Sequence, residues 1–315
     1  MNWIVWLVVS LFVIAAAIAW IILHLFRRWR RDLPNPPYRQ PAQRPRPEEF
    51  SDDEVTVCWV GHSTVYINFY GIRILTDPVF SDRVGLSVLR LFTVGVKRHT
   101  APALRPEDIS GKVDVVLLSH AHMDHFDLPS LRKLQGPSTQ VVTATGTGRL
   151  LRRFTFSAVT ELGGRDRIQL DNGLAVTAVP VRHWGNRFPW NRGYGYTGYL
   201  ISYRGVQVFF AGDTAYTPSF SDLKSVGPID LALIPIGAYS PDAYQGNHCT
   251  PEQAWQMFED SGARFLAPIH WDTFVLSDEP IDEPINRLQR VAPDEEQIVW
   301  RRHGDVFRLI PQQNG

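Results

Sequence analysis

Four side chains of metal-ligand type fall within six residues at His120-Ala121-His122-Met123-Asp124-His125, directly after the apolar run Val115-Val116-Leu117-Leu118. Imidazole nitrogen and carboxylate oxygen suit a borderline cation such as Zn²⁺, and so many donors in one place suggest two ions rather than one. A scattered histidine is usually a hydrogen-bonded core or surface residue. A His-x-His-x-Asp-His run that opens where a buried strand stops is a different object. The arrangement also repeats along the chain. Ala175–Val179 leads through Pro180 to His183, Val208–Ala211 leads to Gly212-Asp213-Thr214, and Phe265–Ile269 leads to His270. If these strand ends converge at one edge of a sheet sandwich, His120, His122 and His183 would hold one ion. Asp124, His125 and His270 would hold the other, with Asp213 bridging both. Gly212 would let the backbone approach where a side chain could not.

The elements that must position these residues are read from periodicity and turn chemistry. Short β-branched and aromatic runs predict strands at Val55–Val60, Thr64–Phe69, Ile72–Thr76, Val113–Leu118, Gln140–Thr143, Ala175–Val179, Tyr199–Ser202, Val206–Ala211, Leu231–Ile236 and Phe265–Ile269. The strongest helix signal is Thr250-Pro251-Glu252-Gln253, with Thr250 as N-cap, Pro251 at the first helical position and Gln253 closing a capping box. Further helices are expected at Leu128–Leu134, Gly148–Phe154 and Ile285–Arg290. No internal repeat is visible, and the region from residue 51 to 315 is of a size for one α/β domain.

Composition narrows the function classes. The 315 residues carry 32 Lys+Arg against 32 Asp+Glu, and no basic helix or zinc-finger cysteine pattern appears, so nucleic acid is not an expected partner. The two cysteines, Cys58 and Cys249, exclude a disulfide framework and suit a reducing compartment. Trp3 to Phe26 is apolar apart from Ser10 and His24, and as a helix it would span about 36 Å. Met1-Asn2 offers no basic leader, whereas Arg27, Arg28, Arg30 and Arg31 close the run. That pattern predicts an uncleaved single transmembrane helix with everything after it on the cytoplasmic side, as at a bacterial inner membrane. Six prolines between Pro34 and Pro47 read as an extended, semi-rigid spacer. The expected organisation is therefore an anchor over 1–26, a basic and Pro-rich linker over 27–50, and a catalytic domain over 51–315.

The spacing of the candidate ligands and the words around them resemble the metallo-β-lactamase fold, a four-layer αβ/βα sandwich of the α/β class with a metal site at the edge of its sheets. Trp59-Val-Gly-His-Ser-Thr64, Leu75-Thr-Asp-Pro-Val-Phe80, His183-Trp184, Phe209-Phe-Ala-Gly-Asp-Thr214, Gly227-Pro-Ile-Asp-Leu231, Ile234-Pro-Ile-Gly-Ala-Tyr239, His248 with Pro251-Glu252, and Ile269-His-Trp-Asp-Thr-Phe274 look like the phospholipase D family that hydrolyses N-acyl-phosphatidylethanolamine. The resemblance implies a dinuclear zinc phosphodiesterase releasing phosphatidic acid and an N-acylethanolamine from a membrane phospholipid. Metal-ligand roles carry over to His120, His122, Asp124, His125, His183, Asp213 and His270, and catalytic roles to Asp124, Asp213 and His248. His248 would hydrogen-bond the phosphate or its transition state. A metal-dependent hydrolase of a soluble lactone or small phosphodiester is the alternative reading.

Other residues carry weaker expectations. His62 and Asp77 follow strands and would either orient metal ligands or serve turns. His24, His99 and His303 are not expected as ligands. Asn186–Gly195 and Ser240–Asn247 would border the entrance, and Trp184, Trp190 and Trp271 would wall it. The apolar stretch Leu86, Val88, Leu89, Leu91, Phe92, Val94 and Val96 would either dip into a bilayer or form a helix packed on the core.

Overall fold

The computed structural model describes residues 3–88, 92–188 and 190–310. Contacts divide the chain into two compact units, one ending at Asn35 and the other beginning at Pro36. In the first, α1 (Trp3–Arg31) is apolar on all sides up to Phe26 apart from Ser10 and His24, and Arg28, Arg30 and Arg31 sit in its last turn. There their charge meets the carbonyl end of the helix dipole. By length and composition α1 can cross a membrane, and none of its apolar window is buried.

The second unit runs β1 (Val55–Gly61), β2 (Thr64–Phe69), β3 (Ile72–Thr76), β4 (Arg83–Val88), β5 (Phe92–Lys97), α2 (Pro106–Ile109), β6 (Val115–Leu118), α3 (Leu128–Leu134), β7 (Gln140–Ala144), β8 (Ala158–Leu162), β9 (Arg167–Gln169), β10 (Ala175–Val179), β11 (Gly198–Tyr203), β12 (Val206–Phe210), β13 (Leu231–Pro235), α4 (Pro251–Ser261), β14 (Phe265–Ile269), α5 (Glu283–Val291) and β15 (Val306–Leu309). One sheet has the order β15-β1-β2-β3-β6-β7-β8 and the other β14-β13-β12-β11-β10-β9. Strand periodicity explains why both faces of the first sheet are covered. Val57 and Trp59 of β1 point into the core shared with the second sheet, while Cys58 and Val60 point to the layer holding Ile109, Leu131 and Leu134 of α2 and α3. Ala254, Trp255, Met257 and Phe258 of α4 pack on the core with the second sheet. The result is an αβ/βα sandwich.

α4 forms as its sequence dictates. Thr250 accepts from the Gln253 amide, the Gln253 side chain answers on the Thr250 amide, and Gly262 ends the helix in the left-handed region. Three segments depart from the sequence reading. Gly148–Leu151 is only a short 3₁₀ turn. The stretch around 86–96 is not a helix but the hairpin β4–β5, with Gly85 opposite Gly95. A Cβ on Gly85 would lie 2.2 Å from the Val94 carbonyl oxygen, so this pair needs two glycines to close. Its residues 89–91 lie outside the described residues.

The Pro-rich segment from Pro36 onward belongs to the second unit. The Arg39 amide donates to the His99 carbonyl at 2.8 Å, and the Arg39 carbonyl accepts from Ala101 at 2.9 Å. The Arg39 guanidinium pairs with Asp272 and donates to Thr100 Oγ1. Ala42 and Gln43 donate to the His303 carbonyl. Prolines remove a large share of this segment's amide donors, and those of Arg39, Ala42 and Gln43 find acceptors on the domain, so the spacer is docked instead of free. Gly304 makes the docking possible: at φ +91°, a Cβ there would meet the Gln43 carbonyl oxygen at 2.1 Å.

Candidate metal centre

The strand ends meet. β3, β6 and β7 run parallel in one sheet, as do β12, β13 and β14 in the other, so their C-terminal ends share an edge. β6 delivers Ser119 and the 120–125 loop, β10 leads to His183, β12 to Asp213 and β14 to His270. The Tyr199 hydroxyl donates to the Leu118 carbonyl at 2.9 Å and the Thr197 amide to the Ser119 carbonyl at 3.0 Å, which ties the two sheets together beside the site. Gly212 has φ +62°, and a Cβ there would lie 2.6 Å from Ser119 Cβ. Only glycine lets β12 approach β6 closely enough to place Asp213.

Four overlapping donor groups form among the described residues. The two largest are His120, His122, His183 and Asp213, and His62, Asp124, His125 and His270; smaller ones join Asp77 to His120 and His125, and His248 to Asp213 and His270. In the first, His122 Nδ1 lies 2.8 Å from His120 Nε2 and 3.3 Å from His183 Nε2. Asp213 Oδ2 faces both groups. It lies 3.9 and 3.8 Å from the Nε2 atoms of His120 and His183, and 3.1 Å from those of both His125 and His270. Asp124 Oδ2 is 3.6 Å from His125 Nε2 and from His270 Nε2, and 3.1 Å from His62 Nε2.

Outer hydrogen bonds set the imidazole tautomers. Asp77, fully buried, accepts from the Ser119 amide at 2.7 Å, from the Ser119 hydroxyl at 2.5 Å and from His125 Nδ1 at 2.6 Å. With its proton given to Asp77, Ser119 Oγ accepts from His120 Nδ1 at 2.8 Å. His183 Nδ1 donates to the Asn247 carbonyl at 2.9 Å. Each of these three rings therefore commits its Nδ1–H to an acceptor outside the cluster and turns Nε2 toward it, the nitrogen a metal would take in place of any proton there.

Charge and burial test whether a cation fits. Burial opposes ionisation of Asp213 and Asp124, yet the neighbouring histidines hold both well below the usual carboxylate range. Burial likewise opposes protonation of His125 and His270, but the carboxylates outweigh it and raise His125 well above the ordinary imidazole value and His270 to about 9. His120 and His122 are pushed down by burial and by their histidine neighbours, His122 to about 3. His122 Nε2, His270 Nδ1 and Asp213 Oδ1 are buried without a hydrogen-bond partner, and the Nε2 atoms of His125 and His270 face only the Asp213 and Asp124 carboxylates. Unpaired buried polar atoms cost about 1–3 kcal/mol each. Imidazole nitrogens of His120, His122, His183, His125 and His270 converging on two buried carboxylates are what divalent cations with N and O ligands satisfy.

The remaining expectations divide. His248 stands at the rim, its Nδ1 3.9 Å from Asp213 Oδ2 and its ring 5.4 Å from that of His270. His62 joins the second donor group, while Asp77 stays one bond further out, on His125. Trp184 packs its ring 4.2 Å from that of His122 and is half exposed. Trp271 is not at the entrance: it is buried, stacked 5.2 Å from Trp59, because the turn after His270 points it back into the core. His303 is buried away from both donor groups. Sequence reasoning missed Ser119, whose place beside His120 is its only signal. It also missed Arg187, which donates to the carbonyls of Ala121 and Phe126 at 3.0 and 2.8 Å and so brackets the ligand loop. Nothing local marks Arg187.

An αβ/βα sandwich with a His/Asp cluster at the shared end of its sheets defines the class of metallo-β-lactamase-fold proteins. The beta-lactamase superfamily domain matches residues 72–271, and the chain belongs to that superfamily. It is 36% identical over 248 residues to an uncharacterized protein of Mycobacterium tuberculosis, covering 76% of this chain and 65% of that one. It is 32% identical to the mitochondrial N-acyl-phosphatidylethanolamine-hydrolyzing phospholipase D of Saccharomyces cerevisiae over 78% of this chain and 54% of the yeast protein. The chain thus spans less than two thirds of the length of both relatives. Among solved structures, Igni18, a metallo hydrolase of the archaeon Ignicoccus hospitalis, superposes with a TM-score of 0.60 at 19% identity, covering 82% of this chain and 99% of that one, and shares the fold.

Proposed function

We propose that this protein is a membrane-anchored, metal-dependent hydrolase of the phospholipase D type, which cleaves N-acyl-phosphatidylethanolamine or a similar phospholipid to phosphatidic acid and an N-acylethanolamine. The observation that carries this reading is the pair of donor groups with the Asp213 carboxylate turned toward both. The likeness to the yeast phospholipase D supports the substrate class. In this reading His120, His122 and His183 would hold one zinc ion and Asp124, His125 and His270 the other, with the Asp213 carboxylate available to both. The chemistry supplied there would be Lewis acidity, which lowers the pKa of water and neutralises charge on phosphoryl oxygens.

The chain's own residues do the rest. Asp77, Ser119 and the Asn247 carbonyl keep the ligand rings in one tautomer and orientation. Burial pushes His248 down to about 3, so it is neutral, and from the rim it donates an N–H to a non-bridging phosphate oxygen. Beside the ligand loop lies a cavity of about 410 Å³ lined by Leu86, Met123, Leu128, Arg187, Phe188 and Trp190. Leu86 and Trp190 are 49% and 76% exposed, which suits entry of an apolar chain from a lipid surface. α1 would span the bilayer over its apolar stretch from Trp3 to Phe26, with the basic end and the domain on the cytoplasmic face.

The test is mass spectrometry of products after incubating zinc-loaded, detergent-solubilised protein with N-acyl-phosphatidylethanolamine, using His183→Ala as the blank. Phosphatidic acid and N-acylethanolamine formed only by the wild type are expected. No cleavage by protein carrying two zinc ions would refute the phospholipid assignment and leave a soluble lactone or small phosphodiester as the substrate.

A further inference from the structure

Thr273 lies three residues beyond His270, fully buried, and belongs to neither donor group. Its hydroxyl oxygen accepts the backbone N–H of His62 at 2.7 Å. His62 is not an ordinary residue to hold: it sits in the left-handed region at φ 55°, where a side chain with a Cβ is disfavoured. Its carbonyl accepts from Trp59 Nε1 at 2.8 Å and from the His270 amide at 3.1 Å. Its ring then reaches Asp124 Oδ2 at 3.1 Å and lies tilted, 4.2 Å from the ring of His270. The hydroxyl proton of Thr273 has two acceptors, His303 Nε2 and the Trp271 carbonyl, each at 3.1 Å. His303 Nδ1 approaches the Ala101 carbonyl at 3.4 Å, and since a carbonyl can only accept, Nδ1 carries the ring proton and Nε2 is left to receive one. Thr273 is thereby oriented by His303 with its lone pair on the His62 amide.

We propose that Thr273 is a positioning residue for the metal centre, acting through His62: its hydroxyl holds His62 in the left-handed conformation that brings the imidazole to Asp124. This rests on the reading that Asp124, His125 and His270 hold a cation. Among the described residues, the Thr273 hydroxyl is the acceptor that holds the His62 amide. Without it the residue relaxes toward an ordinary conformation, the ring leaves Asp124, and the Asp124 carboxylate loses the partner that fixes its orientation.

The experiment uses the full-length zinc-loaded chain with Thr273→Val and Thr273→Ala, which both remove the hydroxyl, and Thr273→Ser, which keeps it. The readouts are the rate of zinc loss to a chelator, the number of ions retained, and the visible spectrum of the Co²⁺-substituted protein. Removing an outer-shell partner commonly weakens metal binding 10- to 100-fold. We expect one of the two ions to leave Thr273→Val or Thr273→Ala about 10- to 100-fold faster, with an altered Co²⁺ spectrum and Thr273→Ser like the wild type. A purely structural role would lower the thermal midpoint and leave both release rates and the spectrum unchanged, which overturns the proposal. Asp124→Ala separates the two levels. If it retains both ions, the ligand reading itself fails and the inference falls with it; if it loses one while Thr273→Val and Thr273→Ala lose none, only the role of Thr273 fails.

Discussion

Asp77 offers the sharpest test of how the centre is held, because one buried carboxylate serves three donors. It accepts from the Ser119 amide at 2.7 Å, the Ser119 hydroxyl at 2.5 Å and His125 Nδ1 at 2.6 Å. Asp77→Ala leaves all three without an acceptor in a site closed to solvent. At about 1–3 kcal/mol for each orphaned group the simple sum is about 3–9 kcal/mol, against a whole-domain stability of about 5–15 kcal/mol. Little folded protein is expected from that variant. Asp77→Asn is the informative change, since the amide oxygen still serves the Ser119 amide while the NH₂ replaces the oxygen that accepts from both the Ser119 hydroxyl and His125 Nδ1. Losing the charge-assisted bond costs about 1.5–3 kcal/mol of stability. With His125 no longer held in the Nδ1–H form, zinc affinity should fall about 10- to 100-fold, equivalent to about 1.4–2.8 kcal/mol. The assay pairs urea unfolding in excess chelator, which isolates the fold, with chelator competition for zinc by the folded variant. Wild-type zinc affinity in Asp77→Asn would show that the Asp77–His125 bond does not orient the ligand.

Two further changes probe the close approaches. Gly212→Ala places a Cβ 2.6 Å from Ser119 Cβ in a left-handed backbone. It should cost about 2–5 kcal/mol and release zinc faster, read from the urea midpoint and chelator competition; an unchanged midpoint would contradict the required contact between β12 and β6. Gly304→Ala drives a Cβ to 2.1 Å from the Gln43 carbonyl oxygen and should unseat residues 36–50. Hydrogen exchange at the Ala42 and Gln43 amides should then speed up well beyond the change elsewhere in the domain, and wild-type protection there would contradict the docked segment.

What was legible from the sequence is what depends on neighbours along the chain. Thr250, Pro251 and Gln253 specify the start of α4 with their own side chains, so where this helix begins was readable to the residue. Val115–Leu118 reads as a buried strand because four consecutive apolar residues suit a strand covered on both faces, and His120 through His125 must then lie at its end. The hairpin β4–β5 was missed because its apolar spacing fits two periods. The choice between them lies in Gly85 meeting Gly95 across the ladder.

The donor types, their strand-end positions and Gly212 as a point of close approach follow from the sequence alone, since residue chemistry and short-range periodicity are local properties. Tertiary structure decided the rest. Sheet order across more than a hundred residues brings His183, Asp213 and His270 to the 120–125 loop and turns Asp213 toward both donor groups. It also places His62 in the second group, Arg187 on the carbonyls of Ala121 and Phe126, and the Pro-rich segment against His99 and His303. None of these is encoded in spacing. A carbonyl or carboxylate acquires its partner only when distant strands pack, and proline content describes which amides a segment lacks, not which surface will satisfy those that remain.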